Sequence, residues 1–241
     1  PRLLPLYKCY RAYVRGKVEG MQAVDEEVPT SKREQSRRRA RDYYQWALRY
    51  AVSGGDPVVV VVMGRSGTGK STQAAALARA LGWAHVSSDR VRKEQAGVPL
   101  RDRPDPDTRN QLYSTERSDA VYAALRTRAL ERGRTHQGTV LDATYSGADR
   151  RKHLRTALQA ADRSYVFVEL TAPEDRLRAR LAARDDAATV SDARLDDFET
   201  LMARYEAPDA LEEAQHVQIG TERSEEETTL AILKALIRLA G

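Results

Sequence analysis

The sequence predicts an α/β fold in which a five-stranded parallel sheet carries helices on both faces. Three observations lead to this prediction. Short β-branched runs alternate with longer helical stretches beyond residue 57. A glycine-rich loop follows the first of these runs directly, and the chain is long enough, at 241 residues and 41% hydrophobic content, to bury a core of ordinary size.

Two helices are predicted ahead of the sheet, over residues 6–24 and 31–52. The second contains a basic run followed by aromatic residues, which favours the solvent face of a packing helix over a grip on nucleic acid. The Ser-Gly-Gly-Asp-Pro sequence at 53–57 breaks the helical pattern. We therefore expect a helical appendage over 1–53, which we interpret as the tail of an upstream domain, and a separate α/β domain over 57–241.

Strands and helices alternate regularly in the second region. The predicted strands are 58–63, 84–87, 139–142, 165–170 and 216–219. The predicted helices are 71–81, 108–132, 148–161, 173–184, 192–205 and 224–239. Ligands of open parallel sheets bind beyond the carboxyl ends of the strands, so the residues that follow each strand are the candidates for function.

The loop after the first strand reads Gly-Arg-Ser-Gly-Thr-Gly-Lys-Ser over residues 64–71 and fits GxxxxGK[ST] at every fixed position. Its glycines allow backbone N–H groups to surround phosphates, its lysine reaches the β- and γ-phosphates, and its serine hydroxyl ligates Mg²⁺. This motif predicts a nucleoside triphosphate as ligand. The predicted nucleotide-binding residues are Gly64, Gly67, Thr68, Gly69, Lys70, Ser71 and Thr72.

A carboxylate and an arginine follow the second strand in Ser-Ser-Asp-Arg-Val-Arg. Asp89 and Arg92 are three residues apart and share one helix face. Asp89 is a candidate general base for an attacking hydroxyl, and Arg92 is a candidate to bind a phosphate of the acceptor. The alternative is a helix cap with its surface partner.

Asp142 ends the third strand, where proteins with such a loop often keep a second acid near magnesium. We expect it to act on Mg²⁺ through a water and, with Thr144, to contact the acceptor. Position 143 is alanine, whereas many ATP-hydrolysing motors have a water-activating glutamate there. A substrate hydroxyl is therefore the expected nucleophile.

A helix rich in arginine follows the fourth strand. Guanidinium groups stabilise the charge that builds on a transferring phosphoryl group. Arg180 and Arg184 are four residues apart and can act together. We predict a catalytic role for both.

Composition bears on the partners, the disulfide content and the location that we expect for the protein. The formal net charge is +5, which permits a phosphate-rich partner but also fits arginines on solvated surfaces. Cys9 is the single cysteine, so no internal disulfide framework exists, and no apolar run approaches the roughly 20 residues of a membrane span. We expect a cytoplasmic protein without a membrane segment. The N-terminus lacks an initiator methionine, so we expect the chain to begin within a longer polypeptide.

Four segments of the sequence, taken in order, resemble the phosphate-loop kinases that include polynucleotide 5′-hydroxyl kinases, zeta-toxin-like kinases and gluconate-type kinases. These segments are GRSGTGKST, SSDRVRK, VLDAT and TAPEDRLRARLAAR. The resemblance extends from Val58 onward. Within this region the chain is most similar to the AAA-family, polynucleotide-kinase-like domain of bacterial proteins whose upstream half resembles aminoglycoside phosphotransferases. The segment over residues 4–12 resembles the last helices of that half.

The resemblance implies that Lys70 and Ser71 hold ATP and magnesium, that Asp89 is the general base, and that Arg92 binds an acceptor phosphate. It implies Arg180 and Arg184 as the arginine pair that closes over the phosphates. One departure is Tyr145, which follows Asp-Ala-Thr where end-binding enzymes tend to have asparagine, so a phenol replaces an amide.

From the sequence we expect an ATP- and Mg²⁺-dependent kinase whose favoured acceptor is a polynucleotide 5′-hydroxyl end. One alternative is a small-molecule kinase acting on a sugar, a sugar nucleotide or another metabolite. A second alternative is a regulatory module that binds or hydrolyses nucleoside triphosphates. The sequence leaves the acceptor, the base preference and the oligomeric state open.

Overall fold

The computed structural model describes residues 3–100, 102, 104–132, 138–185, 198–208 and 215–240. The N-terminal part contains α1 (Leu3–Val24) and α2 (Thr30–Ser53). The strands are β1 (Val58–Met63), β2 (Ala84–Ser87), β3 (Thr139–Asp142), β4 (Ser164–Thr171) and β5 (His216–Gly220). The remaining helices are α3 (Lys70–Leu81), α4 (Ser88–Ala96), α5 (Pro106–Leu112), α6 (Thr115–Arg132), α7 (Ala148–Ala160), α8 (Glu174–Asp185), α9 (Phe198–Ala203) and α10 (Glu225–Ala240).

The five strands form one sheet in the order β2-β3-β1-β4-β5, and every neighbouring pair is parallel. β1 lies at the centre, between β3 and β4. The chain crosses from one side of β1 to the other between β3 and β4, which creates the crevice where ligands of such sheets bind. The five predicted strands and the parallel arrangement are confirmed.

The core divides into two layers because successive side chains of a strand point to opposite faces of the sheet. On one face Val59 and Val61 of β1 pack with side chains of α4, α6 and α7. On the other face Val60 and Val62 pack with α3, α10 and the end of α2. Apolar residues therefore fill both faces, as expected for parallel strands buried between helices.

The predicted helix over 108–132 is two helices, and this detail of the prediction is wrong. The chain turns at Tyr113 and Ser114, between α5 and α6. The Ser114 hydroxyl accepts a hydrogen bond from the Arg117 backbone N–H at 3.4 Å, so it serves as the cap that starts a new helix. Part of the predicted helix over 192–205 lies outside the described residues, and its described part ends at Ala203.

The N-terminal helices pack on the sheet domain through α2. The Arg49 side chain donates hydrogen bonds to the carbonyls of Leu81 at 2.5 Å and Gly82 at 3.2 Å, and Gln45 donates to the carbonyl of Arg79 at 3.0 Å. α2 thereby caps the C-terminal end of α3. The division of the chain into 1–53 and 57–241 stays a prediction. No helix in the described ranges is both long and apolar enough to cross a bilayer.

The Leu77 side chain tests the packing of α3 on the sheet because it is fully buried in this layer. Leu77→Ala leaves a cavity and should lower the free energy of unfolding by about 2–5 kcal/mol in urea denaturation. Leu230→Ala is the matched control, since Leu230 is 51% exposed, and it should change stability by less than about 0.5 kcal/mol. Equal losses in the two variants would contradict the described packing.

Candidate phosphoryl-transfer site

The predicted site residues converge at the carboxyl edge of the sheet. The glycine-rich loop leaves β1, α4 begins directly after β2, and Asp142 is the last residue of β3. Asp142 is in register with Val62 of β1 on one side and with Ser87 of β2 on the other. The three strand ends therefore bring the loop, the start of α4 and a buried carboxylate together.

Glycine is required where the loop turns away from β1. Gly64 has φ +130°, and a Cβ there would lie 2.4 Å from the carbonyl oxygen of Leu170 in β4. Gly67 has φ +88°, and its Cβ would lie 3.1 Å from the carbonyl oxygen of Leu177 in α8. Both are left-handed conformations that side chains disfavour, so the loop lies against neighbouring backbone only because glycine is present.

Hydrogen bonds hold the loop in a compact shape. The Lys70 ammonium donates to the carbonyl of Arg65 at 2.8 Å, and the Thr68 hydroxyl donates to the same carbonyl at 2.9 Å. The Gly64 N–H donates to the carbonyl of Thr144 at 3.3 Å, which ties the loop to the segment after β3. Lys70 therefore lies across the loop, as required of a side chain that reaches bound phosphates.

A cavity of about 530 Å³ lies at this edge of the sheet. The predicted site residues in its wall are Gly67, Gly69, Lys70, Ser71, Asp89, Arg92, Asp142 and Thr144. Gly64, Thr68 and Thr72 are not among the lining residues: Gly64 makes the turn, Thr68 is buried inside the loop, and Thr72 is exposed on α3. The roles of these three in binding a nucleotide stay predictions.

Asp89 and Arg92 lie in the first two turns of α4, as the sequence spacing indicates. The Tyr113 hydroxyl donates to the Asp89 carboxylate at 3.5 Å, and the Arg92 guanidinium lies 4.3 Å from the centre of the Tyr113 ring. Arg92 also donates to the carbonyl of Leu112 at 2.6 Å and to the hydroxyl of Ser118 at 3.3 Å. Tyr113 thus connects the candidate base with the candidate anion-binding arginine.

Asp142 is 3% exposed and lies beside a histidine. The His85 Nε2 atom is 3.4 Å from an Asp142 carboxylate oxygen. No cluster of three or more His, Cys, Asp or Glu side chains suited to a metal occurs among the described residues. The oxygens in the wall that suit Mg²⁺ are the Ser71 hydroxyl and the Asp142 carboxylate.

Arg180 lies outside the wall of the cavity. Its guanidinium donates to the hydroxyl of Thr221 at 2.9 Å, to the carbonyl of Thr221 at 2.6 Å and to the carbonyl of Gly67 at 3.3 Å. It therefore joins α8 to the glycine-rich loop and to the end of β5. Arg184 is the last but one residue of α8, and its side chain lies outside the described residues. The catalytic roles predicted for both arginines stay predictions.

Sequence reasoning missed several residues of the cavity wall. Arg109, Tyr113, Arg150 and Arg204 line it, and they come from α5, the turn after α5, α7 and the turn after α9. None belongs to a recognisable motif. Tyr145, by contrast, is buried in the core, where its ring contacts Tyr122 at a centroid distance of 5.0 Å, so its phenol does not line this cavity.

A buried carboxylate positions the turn after α9. Glu169 of β4 accepts hydrogen bonds from the Tyr205 hydroxyl at 2.6 Å and the Gln218 amide at 3.4 Å, and His216 Nε2 lies 3.0 Å away. Burial alone would raise the pKa of Glu169, but these contacts lower it below its usual value. Because Tyr205 follows Arg204 directly, this network holds Arg204 at the cavity.

A second set of hydrogen bonds fixes the same turn against α7. The Arg151 side chain is 1% exposed and donates to the carbonyls of Tyr145 and Glu206, both at 2.9 Å. The Glu206 carboxylate accepts from the Ala148 backbone N–H at 2.6 Å, at the start of α7. Residues from distant parts of the chain therefore form one rim of the cavity.

These features define a parallel α/β domain with a phosphate-binding loop. The AAA domain family matches residues 59–208, which is more than half of the chain, and the chain belongs to this family. The match supports a nucleoside triphosphate as a ligand. A search of curated proteins found no match to this chain.

Solved structures of kinases share the fold. A gluconokinase from Sinorhizobium meliloti 1021 is 24% identical and aligns with a TM-score of 0.56 over 76% of this chain and 94% of its own. A sugar kinase from Janibacter sp. HTCC2649 is 20% identical, with a TM-score of 0.54 over 77% and 99%. The Mycobacterium tuberculosis APS kinase in complex with AMPPNP and APS is 19% identical, with a TM-score of 0.56 over 76% and 98%.

Glu169→Gln tests the network that holds the turn after α9. The folded-state pKa of Glu169 is lowered, so its contribution to stability is present above pH 4.5 and is lost as the pH falls through the folded pKa. At pH 7 the variant should lose about 1.5–3 kcal/mol of unfolding free energy, the usual range for hydrogen bonds to a charged group. The difference from wild type should shrink below pH 4.5. Denaturant titrations across this range measure it, and a difference that grows in acid would contradict the assignment.

Proposed function

We propose that this protein is an ATP- and Mg²⁺-dependent kinase that transfers the γ-phosphoryl group to an alcohol group of a small molecule. One observation carries the proposal: Lys70 and Ser71 of the phosphate-binding loop and Asp89 of α4 line the same cavity. The residues proposed to bind the phosphate donor and the proposed base for the attacking hydroxyl therefore line the same cavity. This arrangement suits in-line transfer, which depends mainly on positioning and on charge stabilisation.

The residues divide the work as follows. Asp89 accepts the proton of the acceptor hydroxyl while the oxygen of that hydroxyl forms a bond to the γ-phosphorus. The bond between the γ-phosphorus and the β,γ-bridging oxygen breaks, and ADP leaves with that electron pair. Lys70 and the backbone N–H groups of the loop neutralise the charge that develops on the phosphates. Tyr113 is a positioning residue because its hydroxyl donates to Asp89.

Magnesium fits the residues present, since hydroxyl and carboxylate oxygens are the ligands it prefers. Ser71 would ligate the ion directly, and Asp142 would contact it through a water. When bound, the ion would supply positive charge that reduces the repulsion opposing attack on the phosphate. The contact of Asp142 with His85 keeps the carboxylate oriented within the wall.

A small molecule is favoured over a polynucleotide end as the acceptor. The three similar structures reported above bear the names gluconokinase, sugar kinase and APS kinase. The polynucleotide acceptor expected from the sequence therefore has no support from these comparisons.

A regulatory module that only binds or hydrolyses the nucleotide is the third possibility. Position 143, after Asp142, carries an alanine that is 1% exposed, so this position offers no base to activate water. This observation favours transfer to an alcohol over hydrolysis.

A transfer assay ranks these possibilities. The protein is incubated with γ-labelled ATP, Mg²⁺ and a panel of sugars, sugar acids, sugar phosphates, nucleosides and 5′-hydroxyl oligonucleotides. We expect label on a small molecule. Label on the oligonucleotide alone would restore the polynucleotide acceptor, and hydrolysis that no acceptor stimulates would contradict kinase activity.

Asp89→Asn tests the proposed base. The variant should keep its affinity for ATP and slow the transfer step by roughly 10²-fold or more, because the amide cannot accept the proton. Glu94→Gln is the matched control: it lies on the same helix but pairs with Arg128 at the surface, and it should leave the rate unchanged. Single-turnover kinetics measure both, and an unchanged rate in Asp89→Asn would remove Asp89 from the mechanism.

A further inference from the structure

Outside the phosphate-binding loop, the wall of the cavity is rich in arginine. Arg92, Arg109, Arg150 and Arg204 all line it. Among the described lining residues the carboxylates are Asp89 and Asp142, and Asp142 ends β3 beside the loop. In the proposed function the loop and Lys70 bind the phosphates of the nucleotide. The arginines are therefore available to bind a different anion.

Arg92 is a buried cation whose partners among the described residues are all neutral. They are the carbonyl of Leu112, the hydroxyl of Ser118 and the ring of Tyr113. Its Nε atom is buried and has no hydrogen-bond partner there. Burying a charge without a counter-charge is costly, so this arrangement is stabilised when an anion occupies the cavity.

Arg150 and Arg92 both line the cavity, and both lie close enough to Tyr122 for their charges to act on it. The Arg150 guanidinium is 4.4 Å from the centre of the Tyr122 ring and donates to the Asp119 carboxylate at 3.0 Å. Burial raises the pKa of Tyr122, while the charges of both arginines act in the opposite direction. The positive charges of two guanidinium groups therefore lie close to the same phenol in the cavity wall.

Arg204 adds a further cation to the cavity wall from the turn after α9. It is exposed and forms no ion pair with any carboxylate in the described ranges. A second cavity of about 730 Å³ adjoins the first and shares four lining residues with it, namely Tyr122, Ser146, Arg150 and Arg204. Arg150 and Arg204 thus stand at the boundary between the two cavities, where a ligand group in either space can reach them.

We propose that the phosphoryl acceptor is an anionic small molecule whose phosphate or carboxylate group is bound by Arg92, Arg150 and Arg204 while its reacting hydroxyl lies at Asp89. This proposal rests on the proposed function, because it assumes that an alcohol enters this cavity. It adds the chemical class of the acceptor and the residues that select it. Guanidinium groups bind both kinds of anion through paired N–H donors.

Binding is measured with the phosphate-binding loop already filled, so that the triphosphate does not compete. The full chain is saturated with Mg²⁺ and AMPPNP and titrated by calorimetry with matched probes: glycerol and glycerol 3-phosphate, then glucose, gluconate and glucose 6-phosphate. We expect an anionic probe to bind at least about tenfold more tightly than its neutral partner, the scale of one charge-assisted hydrogen bond. Comparing gluconate with glucose 6-phosphate shows which anion the site selects.

Arg204→Gln is the decisive variant because Arg204 is exposed, so its loss leaves the core intact. It should weaken binding of the anionic probe by about tenfold or more and leave AMPPNP binding unchanged. Arg128→Gln is the matched control: Arg128 pairs with Glu94 at the surface and does not line the cavity, so probe binding should not change.

The outcomes separate this proposal from the proposed function. Equal binding of neutral and anionic probes, no binding of any probe, or an Arg204→Gln variant that binds like wild type would overturn the anionic acceptor. Phosphorylation of neutral alcohols alone would retain the kinase and reject the anionic acceptor. Tight, Arg204-dependent binding of an anionic probe without phosphoryl transfer to any alcohol would retain the anion site and reject the kinase.

Discussion

The close approach of the glycine-rich loop to the backbone of β4 is the constraint on which the site depends. Gly64 leaves β1 in a left-handed conformation, and a side chain there would collide with the carbonyl of Leu170. The turn directs the loop toward the carboxyl edge of the sheet, where β2 and β3 also end. Lys70, Asp89 and Asp142 share one cavity because parallel strands bring their carboxyl ends to the same edge.

Charge is distributed unevenly around this cavity, and this distribution connects the fold with the proposed chemistry. The loop supplies amides and Lys70; Ser71 and Asp142 supply oxygens suited to Mg²⁺, and separate helices and turns supply arginines to the rest of the wall. Asp89 of α4 lines the same cavity. A phosphate donor bound by the loop and an anionic alcohol bound by these arginines would meet at this carboxylate, where the proton must be accepted.

Local sequence patterns predicted the strands, most helices and the phosphate-binding loop, because these depend on residues adjacent in the chain. They did not predict the break at Tyr113, which depends on a single serine cap. They also did not predict the hydrogen bond from Arg180 to the carbonyl of Gly67 in the loop. The arginines at positions 109, 150 and 204 also escaped prediction. They reach the cavity only through tertiary contacts, such as the hydrogen bond from Tyr205 to Glu169 that holds the turn after α9.

The most direct test of the account is a crystal structure with Mg²⁺ and AMPPNP bound, in which the distance from the γ-phosphorus to the Asp89 carboxylate is measured. The account predicts a distance of about 6 Å or less, which leaves room for one hydroxyl oxygen in contact with both groups. A γ-phosphate directed away from Asp89, or a separation beyond about 10 Å with the loop closed on the nucleotide, would contradict it.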